Sequence, residues 1–318
     1  MNEDLLKDFG LDRPQSGDDV IVPFTLDSLN CRGRITHLGS VIDAILFRHD
    51  YPKPVARLLG EAIILSSLIG SSLKFEGRFI LQTQTDGPVN MVIVDFDSPD
   101  GLRGYARYNH DLLLQYSNEG KTSSKELLGK GHLAMSIDQG ADMERYQGIT
   151  ELDGNGFEGA AAKYFETSEQ IPTLVRLAVG EHLTKGQKRA TWRAAGILVQ
   201  HLPAKKSEEK DEFDNGDNTD NWNEVTSLLN TLGDDELLDP DISPERLLFR
   251  LFHEKGVRVF NPEKLADRCS CSAERIEDML ANSFSAEDRK EMIKEGQIEV
   301  KCEFCSTEYN FNPNQFDI

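Results

Sequence analysis

Two tight cysteine pairs toward the C-terminal end, Cys269-Ser-Cys271 and Cys302-Glu-Phe-Cys305, limit the folds open to this chain more than any other feature. They hold four of its five cysteines and are separated by thirty residues. That spacing supports two mutually exclusive chemistries. All four thiolates can converge on one tetrahedral metal, or each pair can close locally into its own disulfide. The first arrangement ties distant parts of the chain together and the second does not. Oxidation of such a chain removes a tertiary staple, which makes the feature a candidate redox switch.

With 318 residues the chain exceeds one ordinary core, so one large and one small domain are expected. A formal charge of -20 and a pI near 4.8 repel phosphates and speak against nucleic-acid binding. The opening Met1-Asn-Glu-Asp-Leu-Leu-Lys-Asp is acidic, unlike the basic and then apolar start of a signal peptide. The most apolar long stretch, Val55 to Leu73, carries Arg57 and Glu61 and reads as a buried core helix, not a membrane span. The expected compartment is the reducing cytoplasm, where clustered cysteines serve metal or redox chemistry more often than structural disulfides.

Residues 1–203 read as an α+β domain of mixed α and β structure. Strands are expected at Val20 to Thr25, Arg32 to His37, Gly77 to Thr85, Asn90 to Asp95, Gly104 to Tyr108, His132 to Ile137 and Tyr146 to Leu152. Thr173 to Val179 and Ala194 to Leu202 close the series. Helical spacing marks Ser40 to Phe47, a long helix opened by Pro54, and Phe157 to Ser168. Residues 204–256 form an acidic linker with short helices. Ala204 to Asn221 is polar, nearly free of aliphatic residues, and expected to be a mobile tether. Trp222 to Leu232 and Pro244 to Phe252 are amphipathic helices, the second capped by Ser243 with proline at its first position. Helices this short hold only when their apolar faces dock, here on the large domain and on the cysteine module.

Residues 257–318 form the cysteine module, with a β-run at Val257 to Phe260, helices from Ser272 and over Ala286 to Lys294, and a hairpin through Ile298 to Phe311. A domain of this size is marginal without a staple. One zinc ion on Cys269, Cys271, Cys302 and Cys305 would supply it, since structural zinc contributes about 10–16 kcal/mol of folding free energy. Four thiolates leave no open position for a water, so hydrolytic zinc catalysis is not expected. Cys31, alone in a β-run, reads as a small buried hydrophobe.

The residues resemble the 33 kDa chaperonin family of redox-activated heat-shock holdases, over nearly the whole chain. The large domain carries Tyr51-Pro-Lys-Pro-Val, Leu58-Leu-Gly-Glu-Ala, Leu73-Lys-Phe-Glu-Gly, Arg103-Gly-Tyr-Ala-Arg and Ala195-Gly-Ile-Leu-Val-Gln-His-Leu-Pro. The C-terminal part adds Leu251-Phe-His-Glu, Cys269-Ser-Cys-Ser-Ala-Glu-Arg and Ile298-Glu-Val-Lys-Cys-Glu-Phe-Cys. The resemblance implies zinc ligation by Cys269, Cys271, Cys302 and Cys305 in the reduced, inactive form. It implies oxidised pairs Cys269–Cys271 and Cys302–Cys305, holding of unfolded clients without ATP, and a homodimer on activation. The acidic segment around Glu208 to Asn221 is longer than the family pattern leads one to expect. Clients would meet apolar surface released around Leu228, Leu229, Leu237 and Leu248.

Three other functions compete. A constitutive zinc-stapled adaptor predicts that oxidation merely inactivates. A thiol oxidoreductase using Cys302 and Cys305 lacks the strand-then-helix context that lowers a thiol pKa. A zinc-ribbon nucleic-acid binder conflicts with the charge. No phosphate loop is present: Leu128-Gly-Lys-Gly lacks the required spacing. Enzymatic activity and membrane partners are not expected.

Overall fold

The structure, a computed structural model, describes residues 15–73, 76–140, 146–202 and 214–316. Strands β1 (Val20–Leu26) and β2 (Cys31–Leu38) are joined by a short turn that closes at Asn30. Asn30 takes φ of 50°, a left-handed conformation that asparagine tolerates better than most residues. Helix α1 (Ser40–Phe47) leads to α2 (Lys53–Gly70), where Pro54 occupies the first turn and its missing N–H removes no intrahelical bond. Strands β3 (Arg78–Thr85), β4 (Val89–Asp97) and β5 (Gly101–Tyr108) follow. Two capped helices, α3 (His110–Asn118) and α4 (Ser124–Leu128), precede β6 (Lys130–Asp138) and β7 (Tyr146–Asp153). Helix α5 (Gly156–Tyr164) then leads to β8 (Thr173–His182) and β9 (Thr191–His201).

Past the acidic segment come α6 (Asp214–Asn230), α7 (Asp234–Leu237) and α8 (Pro244–Phe252). Three short strands follow: β10 (Val257–Val259), β11 (Glu263–Lys264) and β12 (Ala266–Asp267). One sheet runs β10-β1-β2-β9-β8 with β11 also on β1, and the other runs β12-β5-β4-β3-β6-β7. Helix α2 packs on strands of both sheets, which explains why fourteen of its eighteen residues are buried and its charged residues, Lys53, Arg57 and Glu61, are confined to one line along its first half. The architecture is the α+β fold read from the sequence, with its long apolar helix inside the protein. Among the described residues no helix is long and apolar enough to cross a membrane.

Two compact units divide between Asp267 and Arg268. Residues 257–267, grouped by sequence with the cysteine module, instead add strands to the large unit: β10 and β11 pair with β1, and β12 with β5. Hydrophobic Val257, Val259 and Leu265 bury there, and that burial decides their membership.

Helix α6 corrects a second expectation. Residues 214–221, read as a mobile tether, are helical. Val225 and Leu229 dock on the large unit, and a helix nucleated by docking extends at little cost into polar sequence. The rest of that tether, residues 204–213, lies outside the described residues.

The second unit contains α9 (Ala273–Ser283), α10 (Ala286–Glu291) and the meander β13 (Ile293–Lys294), β14 (Gln297–Lys301) and β15 (Glu308–Phe311). The helix expected over Ala286 to Lys294 stops at Glu291. Glu295 and Gly296 both take positive φ and turn β13 back onto β14. The buried core of this unit is Ile276, Leu280, Ile298, Phe311 and Phe316, a small cluster for a folded unit.

Candidate metal centre

Each cysteine pair is shaped by local backbone chemistry. Ser272 caps α9 by accepting the Arg275 amide at 3.2 Å. The Arg275 guanidinium in turn donates to the Ser270 carbonyl at 2.6 Å, folding the Cys269–Cys271 segment onto the helix start. The other pair occupies the turn between β14 and β15. There Cys302 donates its amide to Thr307 O at 2.9 Å, and Ser306 donates to Cys302 O at 2.8 Å. Ser306 takes φ of 57° to close that turn.

The turn aims amides at sulfur. The N–H groups of Phe304 and Cys305 donate to Cys302 Sγ, and the Thr307 amide donates to Cys305 Sγ. Thr307 Oγ1 lies 3.2 Å from Cys305 Sγ, and the Tyr309 hydroxyl donates to Cys271 Sγ at 3.1 Å. Hydrogen-bond donors directed at several sulfurs favour the thiolate form and orient it, as outer partners of a metal site do.

The four sulfurs lie within 4.8 Å of one another. Cys269 Sγ stands 3.8 Å from Cys302 Sγ, and Cys271 Sγ 3.3 Å from Cys305 Sγ. Tetrahedral zinc with bonds of about 2.3 Å places its sulfurs about 3.8 Å apart, which the Cys269–Cys302 contact matches and the Cys271–Cys305 contact would reach by opening about 0.5 Å. The set is all thiolate and contains no histidine, a soft donor set that suits zinc or an iron–sulfur group. These four residues can hold a metal ion, and they are the cysteines singled out by spacing.

Their protonation is uneven. Burial pushes the Cys271 thiol up to about 12 against the pull of the Tyr309 hydroxyl, and burial also raises Cys302. At Cys305 burial acts upward too. The Thr307 hydroxyl and amide, with the facing Cys271 and Cys302, together outweigh it and bring that thiol to about 7. Four sulfurs this close do not ionise together without a cation among them. The fifth cysteine, Cys31, stands apart: it is buried in the large unit, donates to Leu29 O at 3.2 Å, and is pushed by burial to about 12.

A second feature bears on function. The face of the first sheet turned away from α2 is covered by the linker helices, through Val225, Leu229, Leu237, Leu247, Leu248 and Phe252. Phe252 stacks on Phe24 with centroids 6.0 Å apart. Of the leucines named from sequence, Leu229, Leu237 and Leu248 are buried there, while Leu228 is only partly covered. Polar clasps escaped sequence reading. Glu245, fully buried on α8, accepts the Ser16 amide and hydroxyl. Arg193 on β9 binds Asp18 through both Nη atoms and donates Nε to Leu238 O at 3.0 Å. A buried Glu on an amphipathic helix was the one available sign of the first clasp.

A two-sheet α+β body followed by a small unit whose four cysteines could hold a metal ion is a distinctive architecture. The family model described as Hsp33 protein matches residues 19–312. A 33 kDa chaperonin of Caulobacter vibrioides is 48% identical over 305 residues, covering 94% of this chain and 97% of its own. A 33 kDa chaperonin of Pseudomonas fluorescens is 36% identical over 296 residues, covering 92% and 91%. The crystal structure of the 33 kDa chaperonin from Thermotoga maritima matches the fold with a TM-score of 0.73 at 23% identity, covering 94% of this chain and 97% of that one. The chain belongs to the Hsp33 family, and its function is that of a chaperone.

Proposed function

We propose that the protein is a cytoplasmic, ATP-independent holdase whose client binding is switched by the redox state of Cys269, Cys271, Cys302 and Cys305. The observation that carries this reading is the convergence of these four sulfurs within 4.8 Å from two segments thirty residues apart. One Zn²⁺, when bound, supplies a closed crosslink with no open coordination position. In that state Cys269 and Cys271 hold the start of α9, while Cys302 and Cys305 hold the β14–β15 turn.

Oxidation proceeds within each pair. The Cys269 and Cys271 thiolates give two electrons to one peroxide, which takes up two protons from solvent, so that one S–S bond and two waters form as the O–O bond breaks. Cys302 and Cys305 do the same with a second peroxide. Residues two or three apart bring their Cα atoms within the roughly 4.4–6.8 Å that a disulfide needs. The products carry no thiolate, so the crosslink between the two segments is gone. The five-residue core of this unit is then its main remaining support.

Loss of order in that unit leaves β12, its neighbour in the chain, at a frayed end, and opening that spreads from there through β11 and β10 reaches the end of α8 and loosens the linker helices. Their undocking bares two apolar surfaces, the faces of α6 and α8 and the sheet face beneath them, to which unfolded clients adhere. Two such surfaces on separate molecules also account for homodimerisation on activation. No catalytic residue is required.

The test compares suppression of client aggregation by the reduced, zinc-loaded protein and the peroxide-treated protein, with zinc release and disulfide mapping followed in parallel. Holding only after oxidation, with Cys269–Cys271 and Cys302–Cys305 recovered as peptides, is the expected outcome. Equal holding in both forms, or zinc retained after disulfide formation, refutes the switch, and binding that is lost on oxidation favours the constitutive zinc-stapled adaptor.

A further inference from the structure

Thr25, Arg32, Gln200 and Thr173 stand opposite one another across β1, β2, β9 and β8. They form one polar rung at the end of the sheet face that otherwise receives α2. Gln200 and Thr173 are buried, and Thr25 Oγ1 is buried with no hydrogen-bond partner among the described residues. Arg32 commits Nε to Gln200 Oε1 at 3.1 Å, and its guanidinium has no carboxylate within ion-pair distance among the described residues. Two residues on, Arg34 Nη1 is also buried without a hydrogen-bond partner, with Glu263 4.0 Å away. In a chain of net charge -20, two neighbouring arginines so weakly compensated are a site for an anion.

The rung borders two cavities at once, since Arg32, Ser72 and Gln200 line both. One, of about 170 Å³, reaches Arg34 and Thr25. The other, of about 120 Å³, is walled by Ile69, Phe79, Met135, Ile137 and Phe165. An apolar cavity of about 150 Å³ admits one benzene, so this wall suits a single phenyl-sized group. Within the same lining the Tyr146 and Tyr164 hydroxyls donate to Glu169 Oε1 at 3.2 and 3.1 Å. That carboxylate is already held by two hydroxyls, which leaves the arginines as the groups open to a second carboxylate.

We propose that these two adjoining cavities together bind a small monocarboxylate bearing one phenyl-sized apolar group, with the carboxylate on Arg32 and Arg34 in the first and the apolar group among Ile69, Phe79 and Phe165 in the second. Arginine suits the role because its planar fork matches a carboxylate with two parallel hydrogen bonds. The chemistry is shared by free arylalkanoic acids and by the C-terminal residue of a polypeptide ending in an aromatic side chain. The proposal does not depend on the redox reading, because both cavities lie wholly within the large unit.

The experiment is calorimetric titration of the reduced, full-length protein with 3-phenylpropanoate and, separately, with its neutral isostere 3-phenylpropanamide. Saturable one-to-one binding of the acid is expected, with a dissociation constant of about 1 mM or tighter for a ligand of this size. The amide should bind at least about tenfold more weakly, because it lacks the charge-assisted bonds. Arg32→Gln, at an exposed side chain, should lower acid affinity by a similar factor while leaving thermal unfolding unchanged. Ser72→Leu, which narrows the shared mouth, should weaken both ligands. A tripeptide ending in a free phenylalanine carboxylate supplies the second arm. Its binding, lost on C-terminal amidation, identifies chain ends as the ligand, and its failure beside a binding acid identifies free acids. Equal affinity for acid and amide overturns the proposal on the unmodified protein alone. So does the absence of saturable heat, or an Arg32→Gln protein that binds the acid unchanged.

Discussion

Removing the Leu248 side chain should activate the reduced protein without touching a cysteine. Leu248 is fully buried on α8, in the cluster that joins the linker helices to Val22, Phe24, Ile35 and Ile197 of the first sheet. Leu248→Ala deletes three carbons from a packed site, and such truncations cost about 2–5 kcal/mol depending on how far the cavity collapses. The loss falls on the docked state, because the undocked helix exposes this side chain anyway. The ratio of undocked to docked helices therefore rises by about 30- to 4,000-fold, at 1.4 kcal/mol for each factor of ten. Two measurements check this on the zinc-loaded protein: amide hydrogen exchange across α6 to α8, and light scattering of an aggregating client. Exchange in α8 should accelerate by about that factor, and aggregation suppression should appear without oxidant. Arg250→Ala is the control on the same helix. Its ion pair to Glu236 at 3.0 Å is largely exposed, and such pairs contribute about 0–1 kcal/mol. If exchange in α8 rises as calculated while holding stays at the level of the Arg250→Ala protein, the linker face is neither the brake nor the client surface.

Cys302→Ser should abolish stoichiometric zinc binding and melt the second unit while leaving the large unit's unfolding transition in place, as followed by metal analysis and calorimetry. Cys31 should resist alkylation in the native protein at pH 7.5, because burial holds its thiol near 12; mass spectrometry after chelation should find the other four cysteines modified first. Glu61 gives a pH prediction. Burial, against a hydrogen bond from Ser124, raises its carboxyl from 4.5 to about 7. The folded state then binds the proton more tightly, so this contribution is fully present below pH 4.5 and is lost as pH rises through 7. Over that window the loss amounts to about 3 kcal/mol, and Glu61→Gln should flatten the slope in urea melts taken from pH 4.5 to 8.

Much of this was legible in the chain because each signal was local. The strand alternations, the proline opening α2, the Ser243-Pro244 cap, the helix start near Ser272 and the four-cysteine spacing involve residues a few positions apart. What escaped depends on partners far away in sequence. The helix between Asp214 and Asn221 has no apolar stripe of its own and exists by extension from Val225 and Leu229, which join a buried cluster where this helix meets the β1–β2 turn and α8. Val257 to Asp267 read as part of the cysteine module because they adjoin it, whereas their hydrogen bonds go to β1 and β5. Helices α3 and α4 escaped notice because α3 buries only Leu113 and α4 is one turn held by the Ser123 and Glu126 capping box. The clasps of Glu245 with Ser16 and Arg193 with Asp18 span more than 170 residues, beyond any local pattern.

The placement of β10 has one kinetic consequence. The linker helices leave the first sheet through β9, which ends at His201, and the chain returns to it at Val257, which pairs with Leu26 of β1. While both strands stay paired, the helices form a closed loop anchored at either end in the sheet they cover. A detached helix therefore remains at an effective concentration near the millimolar range over its own docking site, whatever the protein concentration. Return is a first-order event, independent of dilution. A bound client must outcompete a neighbour that never diffuses away, which sets a built-in timer on how long a weakly held client can stay.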